Sequence, residues 1–151
     1  MRVLVTVGIF PPDIGGPATF VPKIAKYFQD ELNYEIEILT LSDNKNLNIN
    51  DDFSVKRIDR NLPIIYRWLK TIFTIYKLGK NKDLIFVNGL GTEATIANIF
   101  LKKKIIRKIV GDPVWERAYS KAKISESFDE FQVKNYGSVS YTHLTLPTIR
   151  E

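Results

Sequence analysis

Three clusters in this chain combine residue types and spacings suited to binding an anion or a sugar. The first is Phe10-Pro11-Pro12-Asp13-Ile14-Gly15-Gly16-Pro17-Ala18, in which a glycine pair opens a helical pattern. Glycines at a helix mouth leave backbone N–H groups bare, and the helix dipole adds to their attraction for an anion. The same pair also makes a tight strand-to-helix turn with no ligand, and spacing alone favours neither. The pattern is not Gly-x-Gly-x-x-Gly, because Gly8 and Gly15 lie too far apart, and no Gly-Lys-Ser/Thr follows as in a P-loop.

The second cluster, Asn88-Gly89-Leu90-Gly91-Thr92, has glycines that permit close backbone approach and polar side chains at Asn88 and Thr92 that donate hydrogen bonds. A plain turn with Thr92 as helix cap fits the same residues. The third is Gly111-Asp112-Pro113-Val114-Trp115-Glu116-Arg117-Ala118. Its carboxylates accept hydrogen bonds from sugar hydroxyls, and Trp115 offers a ring for a sugar face. It reads equally as a helix start, with Asp112 capping, Pro113 in the first turn and Trp115 in the core.

These clusters gain meaning from the elements that must position them. Residues 2–9 are a near-continuous β-branched run, as expected of a strand buried on both faces of a parallel sheet. A helical pattern covers Thr19–Leu32, and strands follow at Tyr34–Ser42 and, near an edge, at Phe53–Ile58. Asp43–Asp52 is a polar loop between them. Pro63 opens a helix that runs to Leu78 and stops at Gly79. Asp83–Asn88 is a buried strand, Glu93–Leu101 a helix and Lys104–Val110 a fifth strand. Alternating strands and helices predict an α/β fold: a Rossmann-like open parallel sheet with right-handed crossovers and helices on both faces. All three clusters then follow strand ends on one rim, where open α/β sheets bind ligands. Val114–Phe131 is helical or irregular, and no sixth strand follows, so the sheet is expected to be truncated after about strand five.

Composition narrows the chemistry. The 151 residues, 44% hydrophobic, suffice for one domain with a real core. No cysteine is present, and His143 is the single histidine, which removes thiolate and His-pair metal sites and two-His mechanisms; no metal is expected. There is no signal-peptide pattern and no apolar run long enough to span a bilayer. A cytoplasmic setting fits, with peripheral contact at the inner face of the membrane as an option. The net charge of +5 suits anionic partners or simply a solvated basic surface.

The helix at 64–78 bears on that option. Arg67, Lys70, Thr71, Thr74 and Lys77 share one face, and Ile65, Trp68, Leu69, Ile72, Phe73, Ile75 and Tyr76 form a wide apolar remainder. Such a helix lies on an anionic membrane, or packs on the sheet with its basic residues in solvent. The basic run Lys102-Lys103-Lys104 with Arg107 and Lys108 lacks an aromatic stacking platform, so nucleic acid is not an expected partner.

Val5–Val21, with its Pro-Pro-Asp-Ile-Gly-Gly-Pro-Ala run, resembles the first strand–loop–helix of family-4 glycosyltransferases with the GT-B fold. Lys108–Ala118, with Phe128–Gln132 downstream, is similar to the segment after strand five in a subgroup of that family. The resemblance covers residues 1–137. It implies the N-terminal, acceptor-side domain of a retaining hexosyl transferase that takes a nucleotide-diphosphate sugar as co-substrate, needs no cofactor or metal, and acts on a glycan or lipid-linked acceptor. Gly15 and Gly16 would face the donor diphosphate, Asp112 would lie near the reacting sugar, and Trp115 and Glu116 would shape the acceptor side. Many relatives carry a histidine at the Asp112 position, so a histidine-based role does not transfer. The donor domain that stabilises the departing diphosphate is absent from this chain, which is therefore expected to be inactive alone.

Residues 139–148, Val-Ser-Tyr-Thr-His-Leu-Thr-Leu-Pro-Thr, resemble a translated transposon-end sequencing adapter, with Ser138 and Ile149 continuing the frame on either side. On that reading the native sequence ends near Gly137, residues 138–151 are a non-native tail, and His143 has no role. The competing reading is a natural terminal strand. Two other functional classes remain open. One is a non-catalytic nucleotide- or sugar-phosphate-binding module. The other is a dehydrogenase or epimerase, for which Asp43 offers the acid after strand two but the glycine spacing fails.

Overall fold

The computed structural model describes residues 1–43 and 52–109. The chain divides into Met1–Lys108 and Ile109–Glu151. The described part of the first unit runs β1 (Arg2–Val7), α1 (Gly16–Asp30), β2 (Glu35–Ser42), β3 (Ser54–Asp59), α2 (Ile64–Gly79), β4 (Leu84–Val87), α3 (Gly91–Leu101) and β5 (Lys104–Arg107). The strands form one sheet in the order β3-β2-β1-β4-β5, and every neighbouring pair is parallel. The expected Rossmann-like open sheet is thus the observed one. Several boundaries differ from the sequence reading: β1 ends at Val7 rather than residue 9, β4 spans Leu84–Val87 rather than Asp83–Asn88, α2 runs through Gly79 instead of stopping before it, and α3 starts at Gly91 rather than Glu93. α1 starts at Gly16 rather than Thr19, since Pro17 is pre-set for a first helical turn. β5 ends at Arg107 rather than Val110.

Strand alternation sorts the core into two layers. Val3, Val5 and Val7 of β1, Ile36 and Ile38 of β2, and Leu84 and Phe86 of β4 pack with Val21 and Ala25 of α1. Leu4, Leu39, Ile85 and Val87 pack on the other side with Ile75 of α2 and Ala94 and Ala97 of α3. Burying each large side chain contributes about 1.5–3 kcal/mol, so the central strands carry the largest share of the hydrophobic stabilisation. One helix covers one face and two cover the other. The direction of winding therefore reverses between β1 and β4, which defines the ligand crevice of such a sheet at their carboxyl ends.

The amino-terminal end of the sheet is closed by charge pairs. The Arg2 N–H donates to Asp83 at 2.7 Å, and this bond, with the nearby Arg2 guanidinium, holds the Asp83 carboxyl below its ordinary value. Lys82, nearly buried, pairs with Glu37 at 2.9 Å and Glu35 at 3.5 Å. A hollow of about 420 Å³ lies here, lined by Arg2, Glu35, Glu37, Lys77 and Lys82. It is at the opposite end from the crevice, and Lys82 already pairs with both of its glutamates.

α2 departs from the simpler expectation for a core helix. Its inward stripe is Thr71, Ile75 and Gly79. Thr71 is buried at little cost because its hydroxyl donates to the Arg67 carbonyl at 2.8 Å. Much of the apolar sector faces solvent instead: Ile65 is 72% exposed, Leu69 55% and Phe73 66%.

Candidate functional site

The crevice is built by two loops, Gly8–Gly15 after β1 and Asn88–Leu90 after β4. Their backbones touch. A Cβ on Gly89 would lie 2.6 Å from the Gly8 nitrogen and 3.2 Å from the Val7 carbonyl carbon, so only glycine allows this approach. Thr6, fully buried, ties the same junction: its hydroxyl donates to the Gly89 carbonyl at 2.9 Å. The Asn88 N–H donates to the Thr6 carbonyl at 2.9 Å and extends the β1–β4 ladder onto the rim.

Gly15 caps α1 with φ 155° and ψ 170°, a conformation open essentially to glycine alone. Neither a side-chain cap nor a first-turn acid neutralises the α1 amino terminus, and the space beside Gly16 is open where a side chain would stand. Bare N–H groups, a helix dipole and open space are what an anion at a helix terminus requires.

Two arginines from the end of β3 hold this loop in place. Arg57 donates to the Pro11 carbonyl at 3.0 Å and lies over the Phe10 ring. Arg60 pairs with Asp13 and, at 2.9 Å, with Asp43. Asp43, the acid after β2, is thus paired with an arginine. Ile14, between the pinned segment and the glycines, is 99% exposed.

The structure thus brings Gly15, Gly16, Asn88 and Gly89 to the rim on which sequence reading put them. Thr92 is exposed and does not cap α3; Leu90, in a left-handed conformation, is the capping residue. Asp112, Trp115, Glu116 and the 138–151 tail lie outside the described residues. Sequence reading missed Thr6, Arg57 and Arg60 because each acts on a partner remote in the chain.

The described fold defines a class: an open, doubly wound α/β domain whose winding reverses at the β1–β4 rim. No protein-family model matches the chain, and no curated protein matches it. Among solved structures it is similar to the lipopolysaccharide outer core galactosyltransferase WaaB in its apo form, with TM-score 0.52 and 14% identity over 71% of this chain. The match spans 32% of the WaaB chain, about a third of its length. That likeness is one of fold: this sheet and its helices are arranged as in a glycosyltransferase. A DNA/pantothenate metabolism flavoprotein from Streptococcus pneumoniae also matches, at 13% identity over 89% of this chain and 51% of that one, but its TM-score of 0.35 carries no argument.

Proposed function

We propose that this chain is the N-terminal, acceptor-side part of a retaining glycosyltransferase that moves a hexosyl group from a nucleotide-diphosphate sugar to a glycan or lipid-linked acceptor. The observation that carries this reading is the crevice itself. An uncapped helix terminus at Gly15 and Gly16 follows β1, and the Asn88–Gly89 backbone, which packs on Gly8 and Val7, follows β4, at the two strand ends between which the winding reverses. The glycosyltransferase-like fold supports it. In this proposal the Gly15 and Gly16 backbone faces the donor diphosphate, and Asn88, Gly89 and Thr92 contact the substrate. Asp112 lies near the reacting carbon, with Trp115 and Glu116 on the acceptor side. During transfer the anomeric carbon–oxygen bond to the diphosphate breaks, the acceptor hydroxyl oxygen bonds that carbon on the same face, and the hydroxyl proton passes to the departing diphosphate oxygen. Stabilising the departing diphosphate is the dominant catalytic demand. Groups from a second domain would meet it, so the chain alone transfers no sugar.

The binding half of this proposal is tested by adding a nucleotide-diphosphate sugar to the isotopically labelled chain. The amide signals of Gly8, Gly15, Gly16, Asn88 and Gly89 shift first. Shifts confined to the Arg2–Lys82 hollow, or none on the rim at saturating sugar nucleotide, sink the reading.

The proposal extends to an anionic lipid surface as a partner, met by the outer face of α2. Ile65, Leu69 and Phe73 form an exposed stripe at helical spacing, Lys70 and Lys77 flank it, and the helix carries no acid. No helix among the described residues is long and apolar enough to cross a membrane. Each lysine near an anionic bilayer contributes about 1 kcal/mol, so replacing Lys70 and Lys77 by glutamine weakens binding to phosphatidylglycerol vesicles about thirtyfold. Co-sedimentation equal for the variant and the parent chain, or equal on neutral vesicles, contradicts this.

A further inference from the structure

We infer that Lys108 and Asn88 form a phosphoryl-binding subsite on the α1 side of the crevice. In β4, Leu84 and Phe86 face α1 while Ile85 and Val87 face α2 and α3, which puts the Asn88 side chain next on the α1 side. Asn88 is 9% exposed, and neither its amide nitrogen nor its amide oxygen has a hydrogen-bond partner among the described residues. Buried carboxamides in folded proteins are nearly always paired, so a solitary one at a strand end points to an absent ligand.

Lys108 occupies the matching position on the neighbouring strand. Val87 is in register with Arg107, and the Lys108 N–H donates to the Val87 carbonyl at 2.9 Å, so Lys108 lies beside Asn88 on the same face. Its ammonium sits 3.1 Å from the centre of the Phe20 ring of α1. Among the described residues it has no carboxylate partner. It is thus held near the amino-terminal part of a helix that has neither an acid in its first turn nor a side-chain cap.

A cation near a helix amino terminus is repelled by the dipole, and a bound anion removes that repulsion. The Lys108 ammonium, the Asn88 side-chain amide and the N–H groups at the start of α1 all lie on the α1 side of the sheet. That donor set suits a tetrahedral phosphoryl group better than a planar carboxylate, for which a guanidinium fork is the usual match. The inference rests on the glycosyltransferase reading only for the source of the phosphoryl group: the donor's diphosphate or a phosphorylated acceptor.

The test titrates inorganic phosphate into the full 151-residue chain, followed by amide shifts and calorimetry. Phosphate binds, and Lys108→Met and Asn88→Asp each weaken it about tenfold or more, the size expected for losing one charged hydrogen-bond partner. Lys108→Arg keeps binding, as does Lys26→Met, which removes an exposed α1 lysine away from the crevice. Equal affinity for Lys108→Met and the parent chain overturns the subsite, as does an equal loss in Lys26→Met. If Asn88→Asp fails to fold, the three lysine variants decide. Displacement of phosphate by UDP at lower concentration than by glucose 6-phosphate assigns the donor diphosphate; the reverse order assigns a phosphorylated acceptor. Lys108-dependent phosphate binding without any response to sugar nucleotides keeps the subsite and removes the glycosyltransferase reading. Sugar-nucleotide binding indifferent to Lys108 does the opposite.

Discussion

Gly89→Ala will destabilise the fold by about 3 kcal/mol or more, the upper end of what overpacking costs. The added methyl would stand 2.6 Å from the Gly8 nitrogen and 3.2 Å from the Val7 carbonyl carbon. Both are backbone atoms at the end of a central strand, so neither moves without pulling β1 away from β4. The Thr6 hydroxyl bond to the Gly89 carbonyl is strained by the same displacement. Gly91→Ala is the informative control. Its methyl would also meet an atom at 2.6 Å, but that atom is the tip of the Arg107 side chain, which swings aside. Alanine is also the better helix former at this first position of α3, so Gly91→Ala changes stability little or improves it. Urea unfolding of the two variants gives the comparison. Equal midpoints would show that the two loops do not meet as described, and the crevice would lose its floor.

Ile75→Ala will cost about 3 kcal/mol, within the range for emptying a fully buried isoleucine site, whereas Phe73→Ala on the same helix will cost less than about 0.5 kcal/mol. Ile75 is fully buried against Leu4 and Ile85, while Phe73 is 66% exposed. Ordinarily a phenylalanine-to-alanine change is the more severe of the two, so reversal of the order reports directly which way α2 faces. Denaturant unfolding of both variants measures it. A larger loss at Phe73 would turn the helix over and bury the stripe assigned to the lipid surface.

α2 also marks where the sequence stops being sufficient. Its apolar sector, from Ile65 to Tyr76, is wider than the strip the sheet can cover, so periodicity alone does not say which part is inside. Small size and local satisfaction decide. Gly79 allows Leu101 of α3 to come within contact, and Thr71 bonds its own helix. The strands were more legible because a parallel strand buried on both faces is a continuous apolar run, which few other elements imitate. The rim glycines were legible for a related reason: they stand where apolar runs end. The residues that hold the rim were not. Thr6 reads as an ordinary strand residue until its bond to Gly89 is seen, and the attachment of Arg57 to Pro11 joins segments remote in the chain. Lys108 read as part of a basic run until the β4–β5 register set it beside Asn88. Gly15 was legible as a glycine but not as a helix cap, because Pro17 draws the start of α1 back to Gly16.

The proposal that this domain is the acceptor side of a retaining glycosyltransferase is best tested with the protein made from the longest reading frame of the gene that contains this sequence. That protein is incubated with nucleotide-diphosphate hexoses and glycan or lipid-linked acceptors, and the anomeric configuration of any product is read by proton NMR. Hexosyl transfer with the donor's configuration retained is expected, and none from the 151-residue chain under the same conditions. Transfer with inversion, or no transfer across the donor panel by the full reading frame, would contradict it.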